Sequence, residues 1–479
     1  MGVRKNFAYN LVLTFFNFLF PLITYPYVTR VLGVENIGIC NFVDNLINYS
    51  LILANLGITV YGVREIARQS DDRERYTEVF SSLFFINGIL SAVVIAVLCV
   101  LTFFVPFFSP YKDYLLVGIG KIVFNLFLIE WFFSGLQEFK FITMRSVIVR
   151  FLYVIAVLLF VRDEGDTFLF FILTCSSTVF GGILDWFYSR KFVRFSFSSI
   201  RLGKYFIPVA VFGIYMVLTA MYTNFNTIYL GFVSNDTQVG YFGVASKLNT
   251  VLLAVFTAFT NVMIPRVSYL LKQGEMQHLQ DITGKIFSAI CAISLPLIVF
   301  CLFYAEDIVL LIAGDGYQGA VPVFRVVVFL LFIMAVEQIV IGQFLLSSDS
   351  NKGVIIVCGT GAVVGIVVNL LLTSRLGAIG SSIAWGLSEL AVLIAGLILV
   401  KKNMNISLDI RQFFIELAKS VLYVVSLGAV FSLIGNNWVR LGVGTVVMAA
   451  EFIFVNMVFP RNQLIVETYS NIINKFSRS

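Results

Sequence analysis

The sequence carries little charge and a single histidine. Of its 479 residues, 13% are Asp, Glu, Lys or Arg, whereas a soluble globular domain carries about a quarter. The one histidine, His278, lies in a polar segment, so a histidine metal cluster or a Ser-His-Asp triad within the apolar segments is excluded. No P-loop occurs, so this chain is not expected to hydrolyse ATP. We predict no catalytic residue, no metal and no cofactor.

The cysteines and the one glycine-rich motif are explained by burial and helix packing, without a functional role. The six cysteines have no closely spaced pair and fall in or beside apolar segments, as buried small apolar residues do. The stretch "GTGAVVG" (359–365) resembles a phosphate loop only superficially. It lies inside an apolar run, where small residues favour close helix packing.

What the sequence has in abundance is apolar residues, which make up 59% of the chain at a mean hydropathy of +0.94. They come in runs of about 20, the length that a helix needs to cross a hydrocarbon core of about 30 Å. A membrane β-barrel would show short alternating strands instead. We therefore predict an all-α polytopic membrane protein whose first apolar run is an uncleaved membrane helix.

Hydropathy divides the chain into about 14 transmembrane helices. They are expected near 7–29, 36–63, 79–105, 114–136, 144–161, 167–189, 205–232, 238–264, 283–304, 321–346, 353–373, 377–400, 412–434 and 438–459. The segment 305–320 is the longest predicted outer join, and it could also form an interfacial helix.

Basic residues fall mainly on one side of these predicted helices. With a cytoplasmic N-terminus, 23 of the 33 Lys and Arg lie in inner joins and tails and 6 lie outside. This bias follows the positive-inside rule and predicts a multi-pass plasma-membrane protein with both termini cytoplasmic. It also explains the net charge of +6 without a nucleic acid partner.

The chain is predicted to contain two six-helix bundles related by a pseudo-two-fold axis. Shifting it by 202 residues places "ENIGICNFVDNL" (35–46) over "TQVGYFGVASKL" (237–248) and Arg64 over Arg266, a parallel-repeat plan that transporters use. The predicted parts are an N-terminal bundle (1–190), a basic linker (191–204), a C-terminal bundle (205–400), and two extra helices with a tail (401–479). The linker, free of acidic residues, is expected to lie on anionic headgroups or to join the bundles.

Several charged residues fall inside predicted helices, where each costs at least about 2.5 kcal/mol. Asp44 and Lys247 are one position apart in the repeat register, and Glu130 and Glu337 lie on equivalent helices. We expect these four to face a hydrated central cavity, with Asp44, Glu130 and Glu337 as candidates for ion coupling.

Other charged residues within the predicted helices have structural explanations. Glu389, Glu451 and Arg150 are expected to pair within the protein or to reach toward the membrane surface. Asp185, beside Trp186 and Tyr188, is expected at the membrane interface.

The motifs in the first third of the chain resemble the polysaccharide-unit flippases (Wzx type) of the multidrug/oligosaccharidyl-lipid/polysaccharide (MOP) exporter superfamily. They are "FPLITYPYVTRVLGVENIGICNF", "LGITVYGVREIARQ" and "EWFFSGLQEFKFITMRSVIVRFLYV". In this pattern Pro21 and Pro26 bend the first helix where it lines a cavity, since proline breaks backbone hydrogen bonding.

The resemblance implies a function as well as a fold. It implies two bundles that alternately open a central cavity, and a substrate that is an oligosaccharide unit on undecaprenyl diphosphate, moved from the cytoplasmic to the outer leaflet. The cationic residues expected to meet the diphosphate are Arg30, Arg64 and Arg266, with Lys247 in the same cavity. Coupling to an H⁺ or Na⁺ gradient is expected, and the polysaccharide polymerase machinery is a candidate partner alongside membrane lipids.

Two alternatives remain open at this point. One is cation-coupled multidrug efflux within the same superfamily, but drug-exporting relatives typically carry an acidic residue in the first helix, and residues 7–29 contain none. The other is a membrane polymerase or ligase of lipid-linked glycans, which would need a large catalytic outer loop that the short outer joins do not supply.

Overall fold

The computed structural model describes residues 3–345, 351–404, 406 and 408–458, and the predicted tail beyond 458 lies outside them. Throughout this part of the chain the regular structure is helical. The α-helices are α1 (Val3–Asn55), α2 (Ile58–Arg68), α3 (Arg73–Phe104), α4 (Lys112–Asn125), α5 (Glu130–Gly135), α6 (Phe139–Phe160), α7 (Thr167–Ser189), α8 (Leu202–Thr223), α9 (Phe225–Val233), α10 (Asp236–Gln273), α11 (Met276–Phe303), α12 (Ala305–Ala313), α13 (Ala320–Val327), α14 (Leu330–Glu337), α15 (Asn351–Leu376), α16 (Ala378–Met404), α17 (Ile410–Leu433) and α18 (Asn437–Val458). A π-helix, Gln338–Leu345, continues α14.

The membrane crossings match the predicted number. Thirteen helical segments of the described chain are long and apolar enough to cross a bilayer, and the first of them, Val12–Asn55, has 44 residues. At 1.5 Å per residue it is about 66 Å long, twice the hydrocarbon thickness. Gly33, with a φ of 76°, breaks it between the first and second predicted crossings. The all-α polytopic fold of about 14 helices is therefore confirmed.

The second predicted crossing, 36–63, ends earlier than expected. The helix stops at Asn55 because Leu56 adopts a left-handed φ of 44°, and α2 then starts a separate amphipathic segment. Gly57 at this junction lies against the backbone of Val209 and Gly213 in α8. Hydropathy alone does not detect such a break, because the apolar run continues through it.

The two prolines of α1 lie within continuous helix. Helical backbone angles run through Pro21 and Pro26, and the non-helical residue in α1 is Gly33. Whether the prolines themselves bend the helix stays a prediction.

The chain folds as two compact units, Met1–Gly240 and Tyr241–Ser479. In the first unit α1 packs on α3, α4 and α6, while α8 packs on α1, α2 and α3. In the second unit α15 packs along α16, and α11 contacts α14 and α17. The predicted limits of the bundles at residues 190, 204 and 400 stay predictions.

An aromatic cluster forms the core of the first unit at one end. The rings of Phe80 and Phe132 are 4.9 Å apart, and Phe133 and Tyr205 are buried in the same cluster. Because Tyr205 belongs to α8, this core joins the residues on both sides of the linker predicted at 191–204. Outward-facing apolar side chains such as Phe104, 79% exposed, are what a helix in contact with lipid requires.

We predict that the contact at Gly57 limits stability. In Gly57→Ala the added methyl group would contact the α8 backbone, so the free energy of unfolding should fall by about 1–3 kcal/mol. Gly88→Ala in α3 is the matched control, because nothing lies within 4 Å of its added carbon. Thermal unfolding in detergent micelles measures both variants, and equal melting temperatures would contradict the prediction.

Candidate functional site

Arg30 lies on the exposed side of α1, three residues before Gly33. Its Nη1 donates a hydrogen bond to the carbonyl oxygen of Pro26 at 2.9 Å, so the guanidinium folds back along its own helix. The guanidinium is exposed and therefore accessible to an anion.

Arg64 lies on the exposed face of the amphipathic helix α2. The opposite face, with Ile58, Gly62 and Ile66, is buried against the aromatic cluster, and Gly62 lies directly on the Trp131 ring. This packing fixes the orientation of α2. Arg64 is therefore a cation held on a rigid support and accessible to a ligand.

Asp44 is paired within the first unit. Its carboxylate accepts a hydrogen bond from Lys121 Nζ at 2.7 Å and another from Asn48 Nδ2 at 2.9 Å, and Lys121 also donates to Asn48 Oδ1 at 3.1 Å. The Lys121 side chain is 10% exposed. The pair offsets the cost of placing each charge inside a membrane helix. A role for Asp44 in ion coupling would require breaking this pair.

Glu130 belongs to a cluster of three charged residues, in which Arg145 lies between Glu130 and Asp185. The guanidinium of Arg145 lies 2.8 Å from Glu130 Oε2 and 2.5 Å from Asp185 Oδ1. Asp185 is fully buried within the protein, and its predicted place at the membrane interface stays a prediction. Arg145, near the start of the predicted helix 144–161, is buried too. Glu130 keeps 44% of its side chain exposed and is the member open to exchange with solvent or ligand.

A set of amides extends the polar interior of the first unit. Asn55 Oδ1 accepts hydrogen bonds from Asn87 Nδ2 at 2.9 Å and from Asn125 Nδ2 at 3.2 Å, which connects α1 with α3 and α4. On α1, Asn55 lies on the same face as Asp44 and Asn48, given the helical period of 3.6. Sequence reasoning missed this set because it followed charges. Asparagine in otherwise apolar helices is the signal that identifies it.

The two cationic candidates of the second unit lie on α10. Lys247 is partly buried and Arg266 is exposed. Arg30 and Arg64 belong to the first unit, so convergence of the four cations on one cavity stays a prediction.

Glu337 lies against a second carboxyl group within the second unit. It ends α14 where the π-helix begins, and its carboxyl group lies beside that of Glu389 in α16. Glu389 is 1% exposed and also accepts a hydrogen bond from Trp385 Nε1 at 2.8 Å. Two neighbouring carboxyl groups in an apolar interior disfavour ionising together, and they can share a hydrogen bond only when one of them carries a proton. The pair is therefore a candidate site for holding a proton.

Glu389 was expected to pair within the protein or to reach toward the membrane surface, and it lies beside the carboxyl group of Glu337. π-Helical turns are frequent at functional sites because they redirect side chains. Here the turn is held by Gln338, whose Nε2 donates to Thr257 Oγ1 in α10 at 3.0 Å. The sequence separation of 52 residues hides the Glu337–Glu389 pair from motif analysis.

The other charges in membrane helices have local partners. Arg150 donates a hydrogen bond to Asn17, and Glu451 accepts one from Ser426. This agrees with their predicted packing roles. In the described part of the chain no group of three or more His, Cys, Asp or Glu is placed to hold a metal ion.

We predict that Arg145 stabilises the first unit through Asp185. Arg145→Met leaves a buried carboxylate without its partner and should cost about 3–5 kcal/mol of folding free energy. The double variant Arg145→Met/Asp185→Asn removes both charges and should recover part of the loss. Arg190→Met, at an exposed arginine after α7, is the control. Denaturant titration in lipid bicelles measures each, and equal losses in the single and double variants would contradict the pairing.

Comparison with solved structures shows a shared fold. The inward closed conformation of the lipid II flippase MurJ superposes with a TM-score of 0.78 at 14% identity, over 96% of this chain and 100% of that one. An inward-facing MATE-family multidrug resistance transporter of the MOP superfamily gives 0.62 at 12% identity, over 85% and 95%.

Comparison of sequences gives relatives along most of the chain. A protein of Escherichia coli (strain K12), provisionally named an O-antigen transporter, is 24% identical over 84% of this chain and 98% of its own length. A protein of Shigella dysenteriae with the same provisional name is 24% identical over 56% of this chain and 68% of its own.

A family model described as "Polysaccharide biosynthesis protein" matches residues 3–271. The match spans more than half of the 479 residues and includes all three motifs that carry the resemblance. Together with the shared fold, it confirms the resemblance to polysaccharide-unit flippases. The chain belongs to the polysaccharide biosynthesis protein family.

Proposed function

We propose that this protein is a flippase that moves undecaprenyl-diphosphate-linked oligosaccharide units from the cytoplasmic to the outer leaflet of the bacterial inner membrane. The observation that carries the proposal is the family match over residues 3–271. The alignment over 84% of this chain with a protein provisionally named an O-antigen transporter supports the same substrate class. The proposed role is transport without catalysis, with both chain termini in the cytoplasm.

The chemistry of such a substrate explains the exposed cations. A diphosphate cannot cross hydrocarbon without a hydrated path that carries positive charge. In the first unit Lys121 and Arg145 are bound to carboxylates, whereas Arg30 and Arg64 are exposed. We assign the diphosphate to the exposed arginines, with Lys247 and Arg266 as the corresponding cations of the second unit.

Multidrug efflux and glycan polymerisation fit less well. The MATE-family transporter shares the fold, so the fold does not separate the two transport functions. Residues 7–29 contain no carboxylate to attract a cationic drug. A polymerase would need catalytic groups outside the membrane, but the join at 305–320 is mostly the short helix α12. Its Asp307 is held by Arg440 through two hydrogen bonds of 2.5 and 2.9 Å.

We predict that Arg64 is required for translocation. Losing one hydrogen-bonded cation–phosphate contact should lower the initial rate for Arg64→Ala about tenfold or more. The assay follows a fluorescent undecaprenyl-diphosphate oligosaccharide in proteoliposomes, across several glycans. Arg68→Ala, an exposed arginine of the same helix, should stay near wild type. A normal rate for Arg64→Ala would reduce Arg64 to a determinant of topology, and no transport of any glycan by wild type would favour drug export.

We further propose that transport is coupled to protons through the Glu337–Glu389 pair. Asp44 is a weaker candidate because Lys121 neutralises it, while Glu130, half-exposed beside Arg145, could exchange a proton from the first unit. Two carboxyl groups that hydrogen-bond to each other bind a proton directly and offer few oxygen ligands for Na⁺.

Glu337→Gln and Glu389→Gln should each abolish the acceleration of flipping by an imposed pH gradient and leave the slow rate without a gradient. The amide preserves shape and hydrogen bonding but cannot release a proton. Glu451→Gln is the matched control, as another membrane carboxyl bound to a hydroxyl group. Wild-type flux that follows a Na⁺ gradient, or that ignores both gradients, would refute proton coupling.

A further inference from the structure

The segment between α7 and α8 is fastened to the start of α3. The backbone N–H of Arg201 donates to Ser82 Oγ at 2.9 Å, and Arg73 Nε donates to the carbonyl oxygen of Phe192 at 3.1 Å. These bonds hold residues 190–201 as an ordered wall beside α3. The segment is therefore more than a flexible connection.

An open cavity of about 780 Å³ lies between this wall and the first turns of α3. Its lining includes serine hydroxyl groups and six charged residues, which are Arg73, Arg75, Arg194, Arg201, Glu74 and Glu78. We call it the arginine cavity. Four guanidinium groups face two carboxylates, so its net charge is positive.

Among the described residues, ion pairs neutralise only part of the positive charge of the arginine cavity. Glu78 accepts hydrogen bonds from Lys204 Nζ at 2.9 Å and Tyr205 Oη at 2.8 Å. Both donors belong to α8, and the ammonium group of Lys204 neutralises the carboxylate. Arg75 pairs with Asp72 at 3.0 Å. Across the described residues, the other three arginines of the cavity form no ion pair. Three guanidinium groups around one open space are suited to a phosphate.

A second cavity, of about 360 Å³, adjoins the first and shares Arg194 with it. We call it the aromatic cavity, because Phe80, Trp186, Val193 and Phe195 form much of its wall. This apolar part of the wall suits a hydrocarbon chain, while Ser189, Arg190 and Arg194 form the polar part. Arg194 lies where the polar and apolar spaces meet.

We propose that the two cavities bind one anionic phospholipid, with its phosphate in the arginine cavity and the start of an acyl chain in the aromatic cavity. A phosphate alone would need only the first cavity and an alkyl chain only the second. Their shared residue points to a ligand that carries both. Basic pockets beside membrane helices on the cytoplasmic side attract anionic lipid headgroups.

The location fits such a lipid. The cavities lie in the loop with the highest density of basic residues in the predicted inner joins, with Arg190, Lys191 and Arg194 at its start. This placement and the cavity chemistry do not depend on which substrate the protein moves. The inference therefore stands or falls separately from the proposed flippase activity.

The test measures the binding of dioleoyl-phosphatidylglycerol to the purified full-length protein by native mass spectrometry. Arg194→Gln, and the double variant Arg73→Gln/Arg201→Gln, should each raise the dissociation constant about fivefold or more. Lys191→Gln is the matched control, because it removes one charge from the same segment but lines neither cavity. Arg194→Lys should retain most of the binding, and unchanged thermal unfolding shows that each variant is folded.

Chain length and competitors test the identity of the ligand. Phosphatidylglycerol with short acyl chains should bind several-fold more weakly, and Phe195→Ser should remove that difference. The proposal is overturned if Lys191→Gln weakens binding as much as Arg194→Gln, since the lipid would then sense only surface charge. It is also overturned if inorganic phosphate competes as well as the lipid, or if undecaprenyl diphosphate displaces it at lower concentration.

Discussion

A membrane-spanning chain has no water inside the hydrocarbon to satisfy its polar groups, so they must find partners within the protein. The first unit follows this constraint closely. Lys121 is bound by Asp44, and Arg145 lies between Glu130 and Asp185. The amides of Asn55, Asn87 and Asn125 satisfy one another between three helices. The internal pairs therefore fix how the helices pack, whereas Arg30 and Arg64 are exposed.

The fold was largely predictable because hydropathy and the positive-inside rule act on every residue of a crossing. The number of crossings and the helical class follow from them. The breaks in α1 do not, because Gly33 and Leu56 interrupt the helix through backbone angles while the apolar run continues. Tertiary contacts such as Gly57 against α8 decide where such a run stops, and a single sequence does not show them.

The site was predictable as a set of residues but not as a set of pairs. Finding Asp44, Glu130 and Glu337 required only that charges are rare in membrane helices. Their partners lie far away in sequence, since Lys121 is 77 residues from Asp44 and Asp185 is 40 from Arg145. The ion pair of Arg145 was not evident from sequence, because an arginine near a helix end satisfies the topology rule and an internal ion pair equally well. The proximity of Glu389 to Glu337 was not evident either, because 52 residues separate them.

The carboxyl groups of the two units differ in what they can bind. Asp44 and Asp185 already share their charge with cations, so a proton added there must displace a guanidinium or ammonium group. Glu337 and Glu389 lie beside each other, and Glu389 also accepts a hydrogen bond from Trp385, so in the proposed coupling a proton gained or lost would change their mutual contact directly. That contact lies where α14 becomes a π-helix, next to Gln338 and its bond to Thr257 of α10. Under the proposed proton coupling, a proton at this pair would alter the packing of α10 and α16, the kind of two-state element that coupling requires.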